Sequence, residues 1–76
     1  MSPRLPRITP AELLRALRRD GWEAKRQASS HVQLRHPTKP GRVTVAVHSN
    51  RVIDPKTLAF ALRQAGLTIE QLRELL

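Results

Sequence analysis

Residues 31–48, HVQLRHPTKPGRVTVAVH, alternate apolar and polar side chains on both sides of a segment rich in proline and glycine. This alternation predicts two β-strands, His31–His36 and Arg42–His48, because successive side chains of a strand point to opposite faces. Pro37–Gly41 has the composition of the turn that would connect them. The stretch therefore predicts an antiparallel hairpin with one Val/Leu face and one polar face.

The hairpin has two registers that keep its apolar side chains on the same face. One register pairs Leu34 with Val45 and sets His31 beside His48. A shift of two residues sets His31 beside Ala46 instead. Both registers satisfy the hydrophobic pattern, so a His31–His48 contact is one of two alternatives.

A helix and a weaker strand are predicted before the hairpin. Thr9 fits an N-cap, and Glu12 three residues later completes a capping box. Gly21 predicts that the helix ends near Asp20. The weakly patterned strand is Trp22–Gln27, and its tryptophan is predicted to be a core residue.

Two further helices are predicted after the hairpin. Asp54 is the N-cap of the first, Gly66 ends it, and Thr68 caps the second. The predicted buried stripe of the first helix is Leu58, Ala61, Leu62 and Ala65. The second is predicted to pack through Leu72, Leu75 and Leu76. The order α-β-β-β-α-α predicts an α+β fold, with one three-stranded antiparallel sheet and the helices on its Val/Leu face.

Length and composition limit the kind of protein. A chain of 76 residues forms one small domain, predicted here as residues 8–76 behind a flexible basic arm, residues 1–7. The absence of cysteine excludes disulfides and thiolate metal sites, and it fits a cytoplasmic location. No apolar run approaches the ~18 residues that a membrane span needs. We therefore expect no membrane association.

The charge of the chain points to a polyanionic partner. Fourteen Lys and Arg stand against six Asp and Glu, which gives a formal net charge of +8. Such an excess in a small domain is typical of nucleic-acid binding. No acidic residue occurs in residues 24–51. The candidates for nucleic-acid contact in this window are Lys25, Arg26, Gln33, Arg35, Lys39 and Arg42.

His31 is the candidate catalytic residue on the polar face of the hairpin. Histidine is the side chain whose unperturbed pKa, about 6.5, suits acid–base chemistry near neutral pH. His48 is a candidate second acid–base group if the first register holds, and His36 is predicted to be structural. The three histidines lack the spacing of a zinc site, so we expect no metal or other cofactor. Phe60 is predicted to be exposed, as an anchor for a protein partner, unless the last helix partly covers it.

Several short motifs together resemble the HicA toxin family over roughly residues 8–75. They are Gly21-Trp22, Arg26-Gln27, Ser30-His31, His36-Pro37, Val45-x-x-His48, Thr57-Leu58 and Arg63-Gln64-Ala65-Gly66-Leu67. The resemblance implies a fold like that of double-stranded-RNA-binding domains, α-β-β-β-α. It also implies a ribosome-independent mRNA interferase of a toxin–antitoxin system. Its partner would be a HicB-like antitoxin that covers the active histidine.

The family's Gly-Ser-His motif falls on Ser29, Ser30 and His31. The resemblance thus assigns catalysis to His31 and makes the two serines accessory candidates. Serine replaces the motif's glycine at position 29, where glycine would permit a positive φ. The family's Val-Pro-x-His reads Val45-Ala46-Val47-His48 here, and its Gly-Thr-Leu reads Lys56-Thr57-Leu58.

The leading hypothesis is a metal-independent endoribonuclease that uses His31 as general acid and base. Serine at position 29 keeps a second hypothesis open, an RNA-binding domain with weak or no activity. A third is a helix-turn-helix DNA-binding module in residues 57–72. Against the third, the would-be recognition helix carries Glu70 and Glu74 beside a single basic residue, Arg73.

Overall fold

Three helices and three strands follow one another in the predicted order. The computed structural model describes residues 4–76. Its elements are α1 (Pro10–Arg19), β1 (Glu23–Ala28), β2 (His31–Arg35), β3 (Val43–Ala46), α2 (Pro55–Ala65) and α3 (Ile69–Leu75). The strands form one antiparallel sheet in the order β1-β2-β3. The predicted α+β fold class is confirmed, although β2 and β3 end earlier than predicted.

The helix ends form where local hydrogen bonds favour them. The Thr9 hydroxyl accepts from the Glu12 N–H, and the Glu12 carboxylate accepts from the Thr9 N–H at 2.9 Å. Asp54 caps α2, and Gly66 ends it with a left-handed φ of 65°. Thr68 and Gln71 form the second capping box, at the start of α3. The predicted caps are therefore confirmed.

The core lies between the helices and one face of the sheet. Its hairpin members are Val32, Leu34, Val43 and Val45. Its helical members are Leu13, Ala16 and Leu17 of α1, the predicted stripe of α2, and Leu72 of α3. Trp22 is only 1% exposed, as predicted for a core residue. Leu75 packs against this core, but Leu76 is 43% exposed, which contradicts its predicted packing.

The pairing of β2 and β3 uses the second register. Val32 lies opposite Val45, and Leu34 lies opposite Val43. His31 therefore faces Ala46, and the alternative contact between His31 and His48 is wrong. We attribute the register to His36, whose ring binds the backbone of the turn that follows β2. Its Nδ1 accepts hydrogen bonds from the N–H groups of Thr38 and Lys39, both at 3.1 Å, which shortens the connection.

The start of the chain is described only in part. Residues 1–3 of the predicted arm lie outside the described residues. Residues 4–7 form neither helix nor strand, and Leu5 packs against the core. The Arg73 guanidinium donates a hydrogen bond to the Arg4 carbonyl. Within residues 4–76, every helix is too short or too polar to cross a bilayer.

Candidate nucleic-acid interface

His31 begins the central strand, on the face of the sheet that the helices leave open. It is exposed, as the alternation of β2 predicts. Its partner on one side is Ala28 of β1, and its partner on the other side is Ala46 of β3. Both neighbours end at a methyl group, so the imidazole has no large cross-strand neighbour on either side. Sequence reasoning placed Ala46 beside His31 in only one of two registers and did not identify Ala28, because both pairings depend on the register of the strands.

The turn before His31 has an unusual backbone. Ser29 has a φ of +58°, and no other non-glycine residue in residues 4–76 has a positive φ. Side chains disfavour this conformation, which glycine adopts freely. The resemblance marked this position, because the family's glycine stands there. The Ser30 carbonyl accepts a hydrogen bond of 2.7 Å from the Val47 N–H, which ties the turn to the chain just after β3.

The open face places Arg26 near His31 and Arg35 at the other end of β2. Arg26 lies opposite Gln33, two pairs along the sheet from Ala28 and His31 and on the same face. Arg35 is on β2 itself, and its guanidinium donates to the Gly41 carbonyl at 3.2 Å. Both arginines are exposed. Since diagonal neighbours in a sheet are about 7–8 Å apart, the Arg26 side chain can reach a group bound beside His31. Arg35 lies four residues along β2, roughly 13 Å away, and can contact a phosphate further along the RNA.

Lys25 lies at the irregularity that interrupts the pairing of β1 with β2. Its ammonium contacts the Glu23 carboxylate at 2.9 Å. The hydrogen bond and the positive charge from Lys25 lower the pKa of Glu23, so this carboxylate is charged at neutral pH. Both side chains are more than half exposed, and surface pairs of this kind are weak. Lys25 therefore remains available to exchange its partner for a phosphate.

Lys39 has structural contacts that separate it from the other cations. Its ammonium lies 2.6 Å from the Asp20 carboxylate and donates to the Ala65 carbonyl at 3.0 Å. These contacts connect the end of α1 with the end of α2. Arg42 is exposed just before β3, and its side chain has no hydrogen bond or ion pair to residues 4–76. The predicted cationic set is therefore divided, with Lys39 tied to the helix ends.

His36 is structural, as predicted. Its Nε2 lies 2.7 Å from the Asp20 carbonyl, and its Nδ1 accepts from two backbone N–H groups. An acceptor at Nδ1 assigns the proton to Nε2, which then donates to Asp20. Trp22 packs edge-on against this ring at a centroid distance of 5.2 Å. A Cβ on Gly21 would lie 2.7 Å from Nε2, which explains the glycine there.

Neither His48 nor Phe60 is paired with His31 in the sheet. His48 is exposed beyond the end of β3 and lines a cavity that reaches α2. Phe60 is 56% exposed on α2, as predicted for a partner anchor. Among residues 4–76, no three His, Asp or Glu side chains gather into a group able to hold a metal ion.

A comparison with protein families now adds to this geometry. The family model described as HicA toxin of bacterial toxin-antitoxin matches residues 10–67. No curated protein matches the chain significantly. The matched range runs from the start of α1 past the end of α2 and includes His31 and the turn before it. Because it covers well over half of the chain, the chain belongs to the HicA toxin family and is a toxin of a toxin–antitoxin system, a family membership that implies an antitoxin partner.

Proposed function

We propose that the protein is an endoribonuclease that cleaves mRNA with His31 as its general acid and base. The observation that carries this proposal is an exposed imidazole on an open, cationic sheet face, with only alanine on either side. A histidine in that position can contact a bound RNA chain directly. No core packing or buried hydrogen bond accounts for its place there.

The reaction follows from the chemistry of RNA. Neutral His31 takes the proton from a ribose 2′-OH, and the 2′-oxygen attacks the adjacent phosphorus. The bond from phosphorus to the 5′-oxygen breaks, and the leaving oxygen takes up the proton that protonated His31 returns through a water molecule. The products are a 2′,3′-cyclic phosphate and a 5′-OH. Arg26 stabilises the negative charge that develops on the phosphoryl oxygens.

Docking of the RNA depends on phosphate contacts. We assign these to the cations Lys25, Arg26, Arg35 and Arg42, and leave out Gln33 because it carries no charge to neutralise a phosphate. Four neutralised phosphates predict a log–log salt slope of roughly −2.8 to −3.6. Lys39 is left out because its ammonium is held by Asp20 and Ala65. The polar face carries no aromatic stacking platform of the kind that reads single strands.

The reaction gives a direct experiment. Purified protein is incubated with a long RNA in EDTA, and the new 3′ ends are analysed. We expect cleavage that EDTA does not stop, with 2′,3′-cyclic phosphate ends. Binding without cleavage would instead support the RNA-binding domain that Ser29 keeps open. Cleavage that requires an added divalent ion would contradict the metal-independent mechanism.

We further propose that the antitoxin inhibits by covering His31 and the cations around it. An acidic partner competes with RNA for the same charges and is attracted to them from a distance. The experiment uses His31→Ala protein, so that the labelled RNA survives while antitoxin is added. Displacement of RNA in proportion to antitoxin supports occlusion. A stable ternary complex would contradict it and would assign binding to the helical side around Phe60.

A further inference from the structure

A cavity of about 310 Å³ lies along the free edge of β3. Pro10, Leu13, Val45 and Ala61 supply its apolar lining. Its volume lies at the lower end of the roughly 300–1,000 Å³ of small-molecule sites. Such sites combine an apolar lining with a few polar groups that set specificity. The edge of β3 supplies polar groups here.

The backbone of β3 directs some of its N–H and C=O groups to the free edge, along this cavity. In an antiparallel pair, alternate residues direct their N–H and C=O groups to opposite edges of the strand. The Val47 N–H donates to the Ser30 carbonyl. Every second residue before it, Val45 and Val43, therefore also directs its N–H and C=O groups toward β2. Thr44 and Ala46 therefore direct their N–H and C=O groups toward the free edge. Both residues line the cavity, and the side chain of Thr57 closes it from α2.

The cavity lies one strand away from His31. Ala46 belongs to both places, because it lines the cavity and lies opposite His31. Neighbouring strands are about 4.8 Å apart, and the small alanine leaves the way between them open. A nucleotide whose phosphate lies beside His31 can therefore place its base in the cavity.

Building on the proposed function, we infer that this cavity receives one nucleobase next to the phosphate that is cleaved. Nucleobase edges present donors and acceptors side by side, and the free edge of β3 offers both. Arg26, the arginine near His31, lies on β1, on the side away from the cavity. Phosphate contacts thus position the RNA, and the cavity selects the base at the cut.

The first experiment follows the backbone amides of the whole protein by NMR. The probes are the four nucleoside 3′-monophosphates, with ribose 5-phosphate as the control that lacks a base. We expect the amides of Thr44, Ala46 and Thr57 to shift with one or two of the nucleotides and not with the control. Shifts confined to the residues around His31, or equal shifts with the control, would overturn the inference.

The second experiment maps cleavage sites in a random RNA pool. Thr57→Phe fills the cavity from an exposed helical position, and Gln64→Phe adds the same side chain further along α2. We expect a base preference of roughly five- to 150-fold in the parent protein and in Gln64→Phe, and its loss in Thr57→Phe. An unchanged preference in Thr57→Phe would contradict the inference.

The two experiments separate this inference from the proposed function. If neither the parent protein nor its variants cleave RNA, but the nucleotides still shift the cavity amides, the proposed function fails and the base site stands. If the antitoxin protects the amides of Thr44 and Ala46 while no nucleotide shifts them, the edge binds a protein strand. That result would overturn the inference.

Discussion

His31 and Ala46 face each other at a non-hydrogen-bonded position of the β2–β3 ladder. Their Cα atoms are therefore about 4.5 Å apart, the closest arrangement of cross-strand side chains. Replacing this methyl group with a larger side chain would cover the imidazole. We predict that Ala46→Leu lowers RNA cleavage at least about tenfold, because a barrier increase of about 1.4 kcal/mol already gives that factor. Initial cleavage rates and circular dichroism measure the effect.

The matched control is Ala28→Leu, on the other side of His31. Ala28 occupies the hydrogen-bonded position, where Cα atoms are about 5.5 Å apart, and β1 is exposed. We expect a smaller loss of cleavage there. Full activity of Ala46→Leu would show that access across β3 does not matter to the reaction.

Substitution by methionine is expected to affect stability at Lys39 and RNA binding at Arg42. Lys39→Met removes the partner of the Asp20 carboxylate and of the Ala65 carbonyl. We expect it to lower the free energy of unfolding by about 1–3 kcal/mol and to leave RNA affinity nearly unchanged. Arg42→Met is expected to weaken RNA binding without a change in stability. Denaturant titrations and RNA binding curves would contradict this assignment if the two effects were exchanged.

Replacement of Ser29 by glycine is predicted to stabilise the protein. A left-handed φ like that of Ser29 costs a side chain about 1–2 kcal/mol, and glycine avoids this cost. Part of the stabilisation is offset, because glycine has greater conformational freedom in the unfolded chain. We expect Ser29→Gly to stabilise the protein by about 0.5–1 kcal/mol. Ser30→Gly, at the neighbouring position without a positive φ, is expected to destabilise it. Equal effects of the two substitutions in thermal unfolding would contradict this account of the turn.

Glu12 predicts a loss of stability in acid. Hydrogen bonds from the Thr9 N–H and hydroxyl, with the nearby charge of Arg15, hold the pKa of Glu12 below its usual value of 4.5. The unfolded chain lacks these contacts, so the stabilisation is fully present above pH 4.5 and is lost as the pH falls through the lowered pKa. We expect Tm to fall less steeply in acid for Glu12→Gln than for the parent protein. Glu74→Gln on α3 is the control and should follow the parent protein.

The helix ends could be predicted because the sequence encodes them locally. Thr9, Asp54 and Gly66 act on residues within one turn of themselves, and each forms the predicted cap. The open face of β2 could be predicted for the same reason, from alternation alone. These features require no knowledge of distant contacts.

The hairpin register and the role of Lys39 could not be predicted in this way. Two registers satisfied the apolar pattern equally, and the structure joins the turn to the end of α1 through His36 and Asp20. Lys39 meets Asp20 and Ala65, which lie 19 and 26 residues away in the chain. Such contacts exist only after the helix ends have come together.

The central claim is tested most directly by His31→Ala in a cleavage assay, with Gln33→Ala on the same open face as the control. Both substitutions lie at surface positions of β2, so the circular dichroism and Tm of both variants should match the parent protein. We predict that His31→Ala still binds RNA but produces no cleavage above background, while Gln33→Ala retains most of its activity. Cleavage by His31→Ala at the rate of the parent protein would contradict the account.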